Sequence, residues 1–180
     1  MAFSRTLQNS GLLMLLLLMS SCVKDIDMDQ VEEVVLPTEA AVDLVFFNLS
    51  TQEFSGAFGR PRATDDVRLE FLDDDYVQTS LVSADLHFRF LNKFTSSFLV
   101  TVQLLSPSDE IMYSFQIPVP AGSAEAPEII NYTEFIGDSR IQAVRNSIQM
   151  RLVIEMQEPF DVEGGELRLE SRGVFKFEFQ

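Results

Sequence analysis

The chain has 180 residues, with 13 Lys and Arg against 28 Asp and Glu, one His, one Cys and no Trp. The length fits one domain, and the formal net charge of −15 argues against a nucleic-acid binder, whose affinity rests on Lys and Arg neutralising phosphates. A lone Cys excludes an intramolecular disulfide framework, and one His beside it leaves no Cys/His zinc cluster.

The chain opens on a segment that does not read as part of a fold. Arg5 is followed by an apolar run from Leu12 to Met19, then by the small residues Ser20 and Ser21 and by Cys22. A charged start, a short apolar stretch and a small-residue cleavage region are the layout of a secretory signal peptide over residues 1–21. The run falls short of the about 20 apolar residues that cross a bilayer. Leu18-Met19-Ser20-Ser21-Cys22 resembles the lipobox of bacterial lipoproteins. The resemblance implies that Cys22 is diacylated, becomes the new N-terminus and holds the chain to a membrane through its lipid. Removal of residues 1–21 would leave 12 basic and 28 acidic side chains, a net charge of −16.

Residues 22–38 are polar and acidic and read as a lipidated flexible tether. Lys24, Asp25 and Asp27, just after the cysteine, resemble the export signals of surface lipoproteins of the Bacteroidota. Taken whole, the chain is similar to small Bacteroidota lipoproteins with a lipobox, an acidic tether and one β-domain. That resemblance implies the outer membrane; the surface face is favoured over the periplasmic face, which stays as the alternative. Asp25, Asp27 and Asp29 also start like an EF-hand loop, but the sixth position is Gln30 instead of Gly and the twelfth is Leu36 instead of Glu.

From residue 39 the dominant period is two. Residues 41–49 are apolar on both parities except Asp43 and Asn48, which predicts a strand covered on both faces. Val67, Leu69 and Phe71 alternate with Arg68 and Glu70. Residues 82–90 and 98–104 each present one apolar face, as do 111–117 and 148–156. Residues 128–135 are a weaker strand candidate. Ser106-Pro107-Ser108-Asp109 predicts a tight hairpin, and residues 138–146 predict one or two helical turns capped by Asp138, with Ile141 and Val144 facing the core. Across 166–179 Leu167, Leu169, Phe175, Phe177 and Phe179 share the odd parity with Ser171 and Gly173 between them, which predicts one long strand bent at Gly173 or two strands meeting there. Seven to eight such strands predict an all-β, antiparallel Greek-key sandwich of immunoglobulin-like character over 39–180, without the Cys-Trp-Cys signature. An up-and-down barrel is the alternative.

No nucleophile elbow, phosphate loop or zinc-protease helix is present. His87, between Asp85 and Arg89, reads as a surface histidine before it reads as an acid–base residue. Asp73, Asp74 and Asp75 form a weak calcium candidate, since adjacent strand residues diverge and three in a row converge only in a loop. No other cofactor is expected. Tyr76 and Tyr132 are candidate sugar platforms, and Phe54 and Phe58 a candidate partner-binding loop. The expected function is a non-catalytic binding or envelope-assembly lipoprotein that engages a protein partner. A glycan-capture module is the alternative, and a hydrolase, for which no constellation appears, comes third. Protease shaving of intact cells is expected to release peptides from residues 38–180; protection until the outer membrane is opened would overturn the surface placement.

Overall fold

The computed structural model describes residues 39–54, 60–158, 160 and 164–178. Cys22, Lys24, Asp25, Asp27, Phe58 and Phe179 lie outside them. The described residues form eight strands: β1 (Glu39–Leu49), β2 (Arg62–Arg68), β3 (Leu81–Asn92), β4 (Phe98–Leu105), β5 (Ile111–Val119), β6 (Glu128–Gly137), β7 (Gln149–Met156) and β8 (Leu167–Phe177). Two short helices join them, α1 (Asp75–Ser80) and α2 (Ile141–Arg145). One four-stranded sheet, sheet A, has the order β1-β8-β3-β6, and the other, sheet B, has the order β2-β7-β4-β5.

These orders have a simple origin. β1 pairs with β8, β2 with β7, β3 with β6 and β4 with β5, all antiparallel. The chain is a ribbon doubled back on itself at the β4–β5 turn and then rolled, so that β8 also meets β3 and β7 meets β4. That is the jelly-roll form of the Greek-key sandwich. The eight-stranded antiparallel sandwich expected from the alternation stands, and neither sheet closes into a barrel. Within that class the strand order differs from the immunoglobulin order. The tip of the ribbon is the expected hairpin: Asp109 N–H donates to the Ser106 carbonyl at 3.0 Å, and Asp109 takes the left-handed conformation at φ 61°, which Asp tolerates.

The core lies between the sheets. Phe88, Phe90, Phe94, Phe98 and Phe175 are among its largest fully buried side chains. Phe94, Phe98 and Phe54 pack ring against ring at one end, with centroids 5.3–6.0 Å apart. β8 is a single strand that runs through Gly173 with its parity intact. A Cβ at Gly173 would stand 2.4 Å from the Phe175 ring, so this glycine makes room for an aromatic that lies across it.

β1 behaves differently from expectation. Its inward positions are 40, 42 and 44 before the middle of the strand and 45, 47 and 49 after it. A β-bulge between Asp43 and Phe46, opposite Ser171, shifts the parity by one. The Ser171 hydroxyl completes the bulge, accepting from Val45 N–H at 2.9 Å and donating to the Val45 carbonyl at 3.1 Å. The apolar residues on both parities of 41–49 therefore mark a parity shift, and one face of β1 stays open.

Three further local expectations change. Leu69 and Phe71 do not extend β2; the chain leaves the sheet after Arg68, and a 3₁₀ turn at Glu70–Asp73 buries Leu72. Asp73–Asp75 open α1 instead of a loop. Asp138 makes no side-chain cap, and its φ is 50°; α2 does bury Ile141 and Val144, and Arg145 reaches the Leu81 carbonyl at 2.8 Å through Nε.

Asn92 ties the β3–β4 corner to the connection after β5. It is fully buried, donates from Nδ2 to the carbonyls of Ser96 (2.9 Å) and Pro120 (2.8 Å), and accepts at Oδ1 from Phe94 N–H at 2.9 Å. Asn92→Ala leaves those groups buried without partners. It should cost about 3 kcal/mol of unfolding free energy, read as a lowered urea midpoint with an unchanged m-value.

Candidate functional site

Two surfaces of the sandwich stand out, the edge of β1, which pairs with β8 alone among the described residues, and the outer face of sheet A. An unpaired edge is a template for another strand, and proteins blunt edges with charges, prolines, bulges or inward-pointing charges. β2 carries Arg62, Asp65, Asp66 and Arg68 on a seven-residue edge. β5 contains Pro118. β6 turns Glu134 inward, opposite the buried Leu86 and only 15% exposed at its side chain. β1 has the bulge alone, over 11 residues with two acidic side chains, Glu39 and Asp43. Phe46, just past the bulge, is 65% exposed, with the Arg168 guanidinium 5.1 Å from its ring centroid. Partly apolar hollows flank this edge. One of 230 Å³ is lined by Val42, Leu44, Val67 and Phe71 with Asp43, Arg68 and Glu70 at its margin, and one of 410 Å³ by Phe47, Leu49, Ala63 and Ile154 with Glu53, Thr64 and Asp65.

The outer face of sheet A is polar. The pairing registers place Asp43, Arg172, His87 and Thr133 in one row across β1, β8, β3 and β6, with Glu170, Arg89 and Asn131 in the next. They line a shallow depression of 380 Å³. His87 Nδ1 lies 2.9 Å from Thr133 Oγ1. Glu170 accepts from two guanidinium groups, Arg89 at 3.1 Å and Arg168 at 2.6 Å.

The β5–β6 seam holds a different cluster. Glu134 accepts from the hydroxyls of Tyr113 (2.5 Å) and Tyr132 (2.7 Å), and Arg140 lies 3.4 Å from the Tyr113 hydroxyl. The Tyr132 ring stacks on Phe115, centroids 5.9 Å apart at 15°, and Phe115 meets Phe88 in the core. The hydrogen bond to Glu134, then burial, pushes the Tyr132 phenol up to about 12. Burial, then Glu134, raises that of Tyr113. This cluster joins the edges of the two sheets and guards them.

The residues singled out in the sequence are thus dispersed. Tyr132 packs one face of its ring on Phe115 and is half-buried. Tyr76 lies on α1, 53% exposed. α1 ends where β3 begins, and Phe88, the partner of Tyr132, is seven residues further on, so about 23 Å of strand separates the two tyrosine positions. Asp74 is the N-cap of α1, accepting from Tyr76 N–H (2.9 Å) and Val77 N–H (3.0 Å), while Asp73 pairs with Arg68 at 2.5 Å. Among the described residues no three acidic, His or Cys side chains stand together as metal ligands. Asp66 forms a bidentate pair with Arg151 (2.7 and 2.9 Å), whose hydrogen bond lowers the carboxyl's pKa. Phe54 plugs the core between Phe94 and Phe98. His87 bonds Thr133 across the sheet, while Asp85 lies one row away, beside Phe135 and Val174. Sequence reasoning missed Phe46, Phe135, Arg172 and Thr133. Their faces depend on cross-strand register and on the bulge, neither of which periodicity within one strand reveals.

No protein-family model matches the chain, and no curated protein does. Among solved structures, infectious bursal disease virus, Gx strain, superposes with a TM-score of 0.49 at 12% identity over 77% of this chain. The enzymatically active domain of bacteriophage CBA120 tailspike protein 4 gives 0.43 at 6% over 75%. A protein of Parabacteroides distasonis ATCC 8503, described by its name as secreted, gives 0.44 at 10% over 66%. The chain spans 32%, 19% and 38% of those chains respectively. Likenesses this distant carry nothing over to its function.

The tyrosine cluster has a pH signature. A phenol whose folded pKa is raised favours the folded state fully below its unfolded value near 10, and loses that contribution as pH climbs through its folded value. Thermal stability should therefore fall between about pH 10 and pH 12 as Tyr132 ionises. In Glu134→Gln, phenolate absorbance should rise at lower pH than in the parent. An unchanged titration would show that Glu134 does not hold the phenol.

Proposed function

We propose that this chain is a lipid-anchored outer-membrane module, non-catalytic and displayed at the cell surface, that engages a protein partner of the envelope by strand addition along β1. The reading is supported by the unequal guarding of the sheet edges. β2 packs four charges into seven residues, β5 holds a proline and β6 an inward-pointing acid, whereas β1 spreads two acids over 11 residues and offers an exposed Phe46 and partly apolar hollows on the side facing β2. Strand addition draws affinity from main-chain hydrogen bonds and specificity from pockets that take alternate side chains. An incoming strand on β1 would meet both.

The anchoring half of the reading rests on the lipobox-like run ending at Cys22 and on Lys24, Asp25 and Asp27 after it. The partner differs from this chain. In a two-fold β1–β1 pairing centred near Asp43 or Ala41, Asp43 would oppose itself or Glu39, and like charges directly opposite destabilise a pair. A strand with basic residues opposite Glu39 and Asp43 and apolar ones between suits the edge better. A hydrolase would need the Asp73–Asp75 carboxylates beside His87, but α1 and His87 are about 20 Å apart along β3.

A photo-cross-linking residue in place of Phe46, in the full chain in intact cells, should give one discrete adduct. The same residue at the exposed Ile111 of β5 should give none. Phe46→Lys should abolish co-purification of that partner while shifting stability by no more than about 0.5 kcal/mol, as an exposed position allows. Equal adducts from both positions, or partner retention by Phe46→Lys, would sink strand addition at β1.

A further inference from the structure

The chain has more than twice as many acids as bases, and most of its described cations are committed. Arg68, Arg89, Lys93, Arg140, Arg151 and Arg168 reach carboxylates. Arg145 reaches a backbone carbonyl and Arg60 a glutamine. The Arg172 side chain takes part in none of the ion pairs found among the described residues, although Asp43 stands opposite it in register. It sits mid-sheet, with His87 on the next strand. Glu170 is already shared by two guanidinium groups. The middle of this face thus carries two cations, Arg89 and Arg172, against two carboxylates, Glu170 and Asp43, and is locally neutral on an acidic protein.

The groups around Arg172 are varied in chemistry and close together. His87 is held through Nδ1 by Thr133; Asn131 adds an amide and Asp43 a carboxylate. Hydroxyl acceptors, planar donors and a carboxylate on one shallow surface match a ligand with many hydroxyls, each donating and accepting. Beside this row Phe135 is 50% exposed on the same face, with its ring folded over Gly137, where an added Cβ would stand 2.7 Å from it. A fixed apolar plate beside a polar row offers stacking to a ring with an apolar side. The uncommitted guanidinium adds a requirement for a carboxylate, which Arg recognises bidentately.

We propose that the outer face of sheet A binds an acidic saccharide, a hydroxyl-rich chain bearing uronate carboxylates, with Arg172 on a carboxylate, His87, Thr133 and Asn131 on hydroxyls, and Phe135 under a ring. The protein's overall negative charge opposes the approach, but salt screens charges beyond about 8–10 Å, so on this locally neutral face the Arg172 guanidinium itself decides the contact. The proposal can be tested apart from partner capture at β1: of its groups only Asp43 lies on that strand, while Arg172, His87 and Phe135 lie on β8, β3 and β6.

Calorimetric titration of the full chain in detergent with a galacturonate hexamer, and with its methyl ester, tests it. The acid should bind, while the ester, which keeps the rings and hydroxyls but masks the charge, should bind about tenfold more weakly. Arg172→Gln should weaken binding of the acid to the level of the ester, and Arg172→Lys should restore part of it. Both variants should melt with the parent, since Arg172 is exposed. Equal binding of acid and ester, full binding by Arg172→Gln, or no binding of the acid at millimolar concentration would overturn the proposal. Loss of the Phe46 cross-link would leave it standing.

Discussion

A β-strand points alternate side chains to opposite faces, so a two-sheet sandwich can bury only one parity of each strand. Most of this molecule follows from where the chain keeps that rule and where it breaks it. β8 and the greater part of β3 keep it, and β8 runs unbroken through Gly173 because the glycine leaves space for Phe175. β1 breaks it once, at the bulge, where a serine from the neighbouring strand satisfies the displaced peptide. β6 keeps the period but places a glutamate on the inner face, made tolerable by two tyrosine hydroxyls. A buried acid without such partners would carry a heavy desolvation penalty.

The same rule sorts the surface. The β5–β6 side of the sandwich is closed by the Tyr113–Glu134–Tyr132 bridge between the sheets. The β1–β2 side has hollows instead, with an exposed aromatic at its margin. One side is therefore sealed by polar contacts and the other left with apolar surface to offer, and it is on the open side that a partner strand gains most from docking. The central polar face is a third kind of surface, flat and hydrogen-bonding, with cations and carboxylates interspersed.

Much of the fold was legible in the sequence because alternation is a local property. The strands at 81–92, 98–105, 111–119, 149–156 and 167–177, the turn at Ser106–Asp109 and the inward Ile141 and Val144 all follow from residues close in the chain. The bulge was not legible, since the group that completes it, Ser171, is 126 residues from Val45. The acidic run at 73–75 resolved into a cap, an ion pair and a helix start, three separate local tasks that the composition of a triplet does not distinguish. The surfaces were the least legible. That Phe46 is bare while Phe47 is buried, or that Arg172 stands beside His87, depends on pairing between distant strands, and a one-residue slip would reverse each of them.

β8 lies inside sheet A, between β1 and β3, although it comes after all the other strands in the chain. During synthesis β1 emerges first, yet it has no strand to pair with until residue 171 and its neighbours have followed. β3 and β6 can pair earlier, but sheet A cannot be completed on a growing chain before β8 has followed, and such long-range pairing is slow even afterwards. The topology thus delays completion of the sheet until the strand that joins β1 to β3 has arrived.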